Sequence, residues 1–435
     1  SRVKALNVPR RRETGLELFA ATNQRNFSAP MLRDSMDFEL MVPQVWETFL
    51  RIYCRPDALE MLVNYQRDPI GLGEEAFKAW MAKATPAKIA SMIKMLEDSG
   101  KSLDEMPVGE YLAMIKADVK PTMSDAPNIK LTAPQVIVYH ENTLSGLYSS
   151  IFSMLTLRFE SILLPNVMVN LRKEMERVTD FCRAHHDWDN PVRFLENDFS
   201  KYDKSQEEFA FALEKYAFTQ LGMNTDLLEK WAGGHVECNV RSQNRLFAFM
   251  VMYQRKSGDA TTAFGNVLIN MVACATAYRH TPYNWAVFMG DDSLMETNTL
   301  SVDKEAINEL ACVFNLQAKM FLTESPYVLS NYLVFDDKQH TLAALPDPIK
   351  RIEKFSMSHD AGTVQWRNMY ESAVILLAPY RYKANYYGLG RLLNERYPVM
   401  RSSDGIILAE ALATSVSSFD NFRSMWDDEP KLLFL

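Results

Sequence analysis

Three groups of residues in this sequence have the types and spacing that chemistry at phosphorus requires. Gly290-Asp291-Asp292 stands between Trp285-Ala286-Val287-Phe288-Met289 and Ser293-Leu294-Met295-Glu296, which reads as strand, tight turn, strand. Asp198 closes a second strand-like run, Val192-Arg193-Phe194-Leu195, and Asp203 follows five residues later. A double Asp in a tight turn is electrostatically poor unless a cation relieves it, because like charges at close range push one carboxyl pKa upward. Mg²⁺ is the natural counter-ion: it is hard, takes carboxylate oxygens and shares its shell with phosphates. Two such ions about 4 Å apart can clamp an in-line displacement, one lowering the pKa of an attacking 3′-hydroxyl and the other holding the departing pyrophosphate. Taken alone, Gly-Asp-Asp is also simply a good hairpin turn. It gains force from its company.

The third group is Ser257-Gly258-Asp259-Ala260-Thr261-Thr262-Ala263-Phe264-Gly265-Asn266, an S-G-x3-T-x3-N pattern. Thr262 and Asn266, four apart on a helix, share a face. A hydroxyl and an amide there, together with Asp203, can read a ribose 2′-OH. A turn after Asp198 would let that residue face the metals while Asp203 faces the incoming sugar. Gly258 allows a flexible loop beside a nucleic-acid backbone. The bland alternative is a helix cap followed by a polar stripe.

The elements that must position these groups follow from periodicity. The first 100 residues read as irregularly amphipathic helices punctuated at Gly71, Gly73 and Gly100, with Thr85-Pro86 as a start and Asp98-Ser99-Gly100 as a stop. Residues 116–130 turn to Lys, Pro, Asp and Asn and read as a loop. A β-branched strand over 135–139 leads into a helix through Leu164. Ser205 and Glu208 form a capping box that predicts a helix ending at Gly222, and Asp259 to Tyr278 predicts a second. A helix over 303–314 and strands near 319–322 and 332–335 follow, and beyond Asp347-Pro348 the chain reads as mostly helical. The order β-α-insert-α-β-β-α-β describes an antiparallel sheet backed by helices, an α+β layer. The hairpin tip and the strand end near 198 are expected to converge on one metal site.

Bulk properties bound this reading without deciding it. At 435 residues, 47% hydrophobic and 23% charged, the chain can bury a large core, and its scattered 19 Pro and 16 Gly exclude long low-complexity tracts. A net charge of −8 and a pI near 5.6 argue against a uniformly basic nucleic-acid binder. They leave room for a basic channel inside an acidic shell. Five cysteines, an odd number at irregular spacing, make no disulfide framework and suit a reducing compartment. The chain opens on Ser1-Arg2-Val3, which reads as a piece of a longer polypeptide. The longest apolar run, 267–278, is too short for a membrane span and is interrupted by Asn270.

Together, the three blocks resemble motifs A, B and C of plus-strand RNA virus RNA-dependent RNA polymerases. The wording is closest to the alphavirus-like supergroup and to tobamovirus-type plant replicases. Asp198-Phe199-Ser200-Lys201-Tyr202-Asp203-Lys204-Ser205-Gln206, Tyr253-Gln254-Arg255-Lys256-Ser257-Gly258-Asp259 and Gly290-Asp291-Asp292-Ser293-Leu294 carry the likeness. Thr14-Gly15-Leu16, Arg25-Asn26-Phe27-Ser28-Ala29-Pro30 and Gln135-Val136-Ile137-Val138-Tyr139-His140 extend it, so that it covers about residues 10 to 355. The resemblance implies a right-hand polymerase: N-terminal segment and fingers over 1–190 with an insert at about 222–256, palm over 191–345, thumb over 346–435. It implies Asp198, Asp291 and Asp292 as metal ligands with the Phe199 carbonyl assisting, Mg²⁺ as the ion and Mn²⁺ as a substitute. Asp203, Ser257, Thr262 and Asn266 would bind the nucleotide, and Lys116 and Lys120 would neutralise its triphosphate. Lys319 would be the general acid for pyrophosphate, and Arg255, Lys256 and Gly258 would meet RNA. Implied partners are template and product RNA, ribonucleoside triphosphates, other replicase domains such as a capping enzyme and a helicase, and host factors. The implied location is the host cytoplasm, in membrane-associated replication complexes reached through other domains.

Two positions depart from the pattern. Asn197 stands where an apolar strand residue is usual, as an exposed face would explain, and Asn331 replaces a commonly basic residue. Arg10-Arg11-Arg12 is either an RNA-contacting arm or a solvated tail. Three rivals remain in view: a DNA-making palm polymerase, a catalytically silent RNA-binding scaffold, and a zinc-stabilised module using Cys182-x2-His185 and His235-x2-Cys238.

Overall fold

The computed structural model describes residues 3–5, 13–100, 105–117, 134–172, 174–355, 363–382, 389–397 and 401–426. Its strands are β1 (Glu110–Ile115), β2 (Val136–Tyr139), β3 (Val167–Val169), β4 (Arg193–Phe199), β5 (Cys238–Ser242) and β6 (Ala248–Val251). They continue as β7 (Trp285–Met289), β8 (Asp292–Thr297), β9 (Ala318–Thr323), β10 (Tyr327–Val328), β11 (Asn331–Asp336) and β12 (Thr341–Pro346). Helices account for most of the rest, which makes the fold α+β as expected.

The central sheet has the order β3-β7-β8-β4-β9. β7–β8, β8–β4 and β4–β9 pair antiparallel, but β3 pairs parallel to β7. The sheet is therefore mixed, a correction to the wholly antiparallel reading. β3 is only three residues long and buried throughout, too short for any period to reveal it. β7 lies between two strands and is buried at every position, which is why its sequence is continuously apolar rather than alternating.

Helix Thr262–Ala277 is buried at every residue from Phe264 to Ala275, so it packs as a core helix rather than an amphipathic one. It covers the sheet face that carries Asn197 and Ser293. Asn197 is thus buried and hydrogen-bonded, not on an exposed face as expected. Helix Phe38–Tyr53 packs on the same helix from the N-terminal region.

Sheet β2-β1-β5-β6 has its own apolar core around Tyr111, Val138 and Val240. The C-terminal helices Pro348–Phe355, Leu389–Arg396 and Ser402–Ser415 share a further core with Tyr327, Tyr332 and Leu345 of the β10–β12 sheet and with Val3. The Val3 amide donates to Ser415 Oγ (3.1 Å), so the first described residues join the C-terminal core.

The predicted capping box at Ser205 and Glu208 does not form. Ser205 closes a separate short helix, Tyr202–Ser205, and its hydroxyl donates to the Lys201 carbonyl (3.3 Å). Helix Glu208–Gln220 instead starts after Glu207 with no side-chain cap. Local sequence favoured a cap, but Ser205 is wholly buried and Gln206 is recruited into the core beside it. Among the described residues no helix is long and apolar enough to cross a membrane.

Candidate active site

The hairpin β7–β8 closes with Met289 opposite Asp292, leaving Gly290 and Asp291 as a two-residue turn. Gly290 has φ +69°, the left-handed value that such turns place at their first position and that glycine adopts without strain. β4 runs antiparallel beside β8, with Asn197 opposite Ser293 as the last paired residues. One step further, Asp198 stands across from Asp292, a backbone separation of about 4.5–5.5 Å in an antiparallel ladder. On its other side Asp198 is directly opposite Lys319 of β9. Opposed residues point to the same face, so Asp198, Asp292 and Lys319 share the face turned away from helix Thr262–Ala277. Asp198, Asp291 and Lys319 are exposed and Asp292 is half-buried. Phe199 is buried by its ring at the end of β4, opposite Ala318.

After Phe199 the chain turns sharply. Lys201 has φ +53°, and its ammonium donates to the Ser28 carbonyl (2.7 Å), pinning the turn to the N-terminal segment. This turn carries Asp203 round to helix Thr262–Ala277, where Asn266 Nδ2 donates to Asp203 Oδ1 (2.9 Å). Gln206 Nε2 donates to Asn266 Oδ1 (2.9 Å), and Gln206 Oε1 accepts from Arg255 Nη2 (2.7 Å). Arg255 also ion-pairs with Glu214, both side chains being buried. Burial pushes the Glu214 carboxyl up, and the Arg255 charge opposes that rise. The amide of Asn266 is therefore oriented: its oxygen is engaged from behind, so its NH₂ must face Asp203.

The other residues of this block fall differently. Thr262 does not join Asp203; its hydroxyl donates to the Lys256 carbonyl (2.5 Å). Ser257 Oγ donates to the Val136 carbonyl of β2 (3.2 Å). The Gly258 amide donates to the Val138 carbonyl (2.8 Å), and a Cβ there would sit 2.8 Å from the Tyr139 Cβ. Close approach to β2, rather than loop flexibility, is what requires this glycine. Arg255 and Lys256 are enclosed in protein, Lys256 lying against the Tyr111 ring, with Nζ 5.4 Å from its centroid. Their surroundings suit them to shaping this loop and offer RNA no approach to their charged ends. Burial pushes the Asp259 carboxyl up, but hydrogen bonds from His140 (2.9 Å) and His235 (3.1 Å) outweigh it and hold Asp259 well below the usual carboxylate range.

Lys116 is exposed just beyond β1, its amide donating to the Gln135 carbonyl (2.9 Å). Lys120 and Arg10-Arg11-Arg12 lie outside the described residues. Asn331 is buried, and its amide donates to the Leu329 carbonyl (2.8 Å). The two Cys/His pairs considered for zinc are far from forming one site. Cys182 packs with Phe194 and Trp285, Cys238 packs with Tyr111 and Val240, and His235 is committed to Asp259. Sequence reasoning assigned no role to Gln206, Glu214 or Asn270. For Glu214 and Asn270 the only signal was a polar residue inside an otherwise apolar stretch, and Gln206 appeared only as the last residue of the string that begins at Asp198.

Whether these residues suit divalent ions can be judged from their donors. Among the described residues no three acidic, histidine or cysteine side chains gather into a ready-made metal cage. Asp198, exposed, and Asp292, half-buried, do offer hard carboxylate oxygens from adjacent strands, with Asp291 on the turn. Mg²⁺ commonly binds through one or two carboxylates and completes its shell with water and substrate phosphate. The residues fit an ion of that kind and would suit a softer, fully caged one poorly.

Comparison with known proteins identifies the family. The family described as RNA dependent RNA polymerase matches residues 2–425. The replicase large subunit of Odontoglossum ringspot virus (isolate Korean Cy) is 30% identical over 350 residues, 79% of this chain and 20% of that protein. RNA-directed RNA polymerase 2a of Cucumber mosaic virus (strain B) is 28% identical over 349 residues, 78% of this chain and 38% of that protein. The aligned part of the chain thus spans well under half the length of these relatives. The likeness to tobamovirus-type replicases read from the motifs is the likeness these comparisons find, and the chain belongs to the RNA-dependent RNA polymerase family.

Proposed function

We propose that this chain is the catalytic core of a viral RNA-dependent RNA polymerase, joining ribonucleotides on an RNA template. The observation that carries the reading is the register of the central sheet. It sets Asp198 between Asp292 and Lys319 on one open face, with the Asp203–Asn266 pair one turn of chain away. Membership of the family implies a requirement for divalent metal, and Mg²⁺ is the ion the donor set fits, with Mn²⁺ able to replace it.

In this reading Asp198, Asp291 and Asp292 hold the ions, and the Phe199 carbonyl adds a neutral donor. The ions, when bound, neutralise phosphate charge and acidify the attacking 3′-hydroxyl. Lys319, opposite Asp198, donates a proton to the departing pyrophosphate. Asp203 accepts from the ribose 2′-OH while Asn266 fixes the carboxylate's orientation, so a 2′-deoxy substrate leaves that acceptor unsatisfied. Ser257 and Thr262 hold the loop that presents Asn266, and Lys116 and Lys120 supply the positive charge that neutralises the triphosphate. The chain is organised as fingers, palm and thumb with the boundaries given above. It works on RNA with other replicase components, in host cytoplasm at membranes reached through them.

A template-dependent extension assay with Mg²⁺, with Mn²⁺ and with neither metal tests the reading, run with rNTPs and dNTPs in parallel. Metal-dependent incorporation of rNTPs is expected. No incorporation under any condition would favour the silent scaffold, and a preference for dNTPs would favour the DNA-making polymerase.

A further inference from the structure

Asn270 interrupts the longest apolar stretch of the chain and, in the structure, has no exposed surface at all. It lies one helical turn beyond Asn266 on helix Thr262–Ala277. Its Nδ2 donates to the Gly290 carbonyl (3.1 Å) and to the Asp292 carbonyl (3.2 Å). The two hydrogens of one amide thus tie down the main chain on both sides of Asp291. Its Oδ1 accepts from Cys274 Sγ (3.3 Å), whose thiol is pushed up to about 12 by burial and so keeps the proton it donates. Cys274 Sγ also receives a hydrogen bond from Asn197 Nδ2 (3.6 Å), which reaches Ser293 Oγ as well (3.1 Å). The Tyr278 hydroxyl donates to Asn197 Oδ1. Asn197 precedes Asp198, and Ser293 follows Asp292.

A helix packed on a sheet is normally dry, and polar groups there cost free energy unless each is satisfied. Leu, Val and Ala would fill the same space without that demand. What the polar set does, and an apolar set could not, is reach main-chain carbonyls in the turn. Carbonyl direction in a two-residue turn sets which way its side chains project, because φ and ψ are the only soft dihedrals of each residue.

We propose that Asn270 is a positioning residue for catalysis, clasping the Gly290-Asp291-Asp292 turn from behind and, through Cys274, Asn197 and Ser293, locking it to the strand that carries Asp198, so that the metal-holding carboxylates keep one geometry. The proposal rests on the polymerase reading for its consequence. Asn270 touches neither substrate nor metal. Its effect is on the spacing between Asp198 and the turn, and misplacement of reacting groups by even ~1 Å can cost on the order of 10²-fold in rate.

Two variants of the full chain test it: Asn270→Leu, which keeps the volume and removes both donors, and Asn270→Asp, which keeps the shape and changes the donor count with pH. Mn²⁺ binding is followed by electron paramagnetic resonance, and kcat, KM for rNTP and RNA affinity are measured alongside. Asn270→Leu is expected to bind Mn²⁺ several-fold more weakly and to lose roughly 10–100-fold in kcat with RNA affinity unchanged. In Asn270→Asp a neutral carboxyl regains one donor. Its activity relative to the parent should therefore rise as pH falls from about 8 to about 6, where a buried carboxyl takes up its proton. A folded Asn270→Leu protein with the parent's Mn²⁺ affinity and kcat overturns the proposal. If Asn270→Leu does not fold, an activity ratio for Asn270→Asp that is flat with pH overturns it instead. A parent that binds Mn²⁺ but extends no RNA defeats the polymerase reading while leaving the clasp testable by Mn²⁺ affinity. A parent that binds no Mn²⁺ defeats both.

Discussion

The two ends of the β7–β8 hairpin carry carboxylates of opposite kinds. At its base Glu296 is completely buried and accepts from the Asp187 amide (3.0 Å), Asn284 Nδ2 (3.0 Å), Trp285 Nε1 (2.8 Å) and His186 Nδ1. At its tip Asp291 is exposed and Asp292 half-buried, and protein donors grip the main chain around them. Glu296 and Asp292 lie on the same strand and the same face. A carboxylate whose lone pairs are filled by fixed donors holds a fold together and has nothing left for a cation. An acid at an exposed turn whose main chain is held can present its carboxylate to a substrate. What separates structural from chemical acid here is exposure: the Glu296 carboxylate is sealed in the core, whereas solvent reaches the hairpin tip while its main chain is held.

Removing each carboxylate tests that contrast. Asp291→Ala should leave the melting temperature near the parent's and lower incorporation by about 10⁴-fold, roughly 5 kcal/mol in activation free energy. Retained incorporation would break the contrast at the tip. Glu296→Ala should do the reverse, leaving four donors, two buried and two half-buried, without their acceptor. A loss of roughly 3–5 kcal/mol in stability is expected from denaturation curves, with the metal dependence of the surviving activity unchanged. An unshifted denaturation midpoint would break the contrast at the base.

Glu196 sharpens the comparison because it is intermediate. It is buried two residues before Asp198 on the same face, it accepts from the Tyr327 amide (2.7 Å), and Arg396 stands 3.8 Å away. Burial pushes its carboxyl up to about 7; the Tyr327 amide and Arg396 oppose the rise and Asp292 adds to it. A folded-state value above the unfolded one means that stability is fully present at low pH and is lost as pH rises through about 7. Glu196→Gln, which mimics the protonated form, should therefore gain on the parent as pH rises from about 5 to about 7 and level off above that, by on the order of 2 kcal/mol at the upper end. A gap in melting temperature that stays constant across that range would refute the assignment. The smallest effect belongs to the sugar side. Asn266→Asp sets a second carboxyl beside Asp203 and should reduce discrimination between rNTP and dNTP about tenfold, or 1.4 kcal/mol, as read from incorporation efficiencies for each.

Much of the site was legible because its chemistry is local. The Gly290 turn and the strand ending near Asp198 follow from turn preference and strand pattern, whereas of the two residues that the helical repeat set beside Asp203 only Asn266 reaches it and Thr262 bonds the Lys256 carbonyl. The misreadings share one cause. Ser205 looked like a cap and Asn197 like a surface residue because their neighbours in sequence said so, whereas their neighbours in space are a buried turn and helix Thr262–Ala277. The resemblance implied Arg255 and Lys256 as RNA contacts, and the structure buries both. The Glu214 carboxylate and the Tyr111 ring that enclose them come from distant elements. β3 escaped because three residues carry no period.

By itself the sequence determined which residues could do the chemistry and in what order along the chain they occur, since residue type, turn geometry and helical repeat are properties of neighbouring residues. Only the tertiary structure decided the register that sets Asp198 between Asp292 and Lys319, which carboxylates are sealed and which are open, and that Asn270 reaches the turn. Those outcomes depend on hydrogen bonds between separate segments, 20 residues apart for Asn270 and Gly290 and 131 for Glu196 and Tyr327, whose pairing is selected by the packing of whole faces rather than by any local preference.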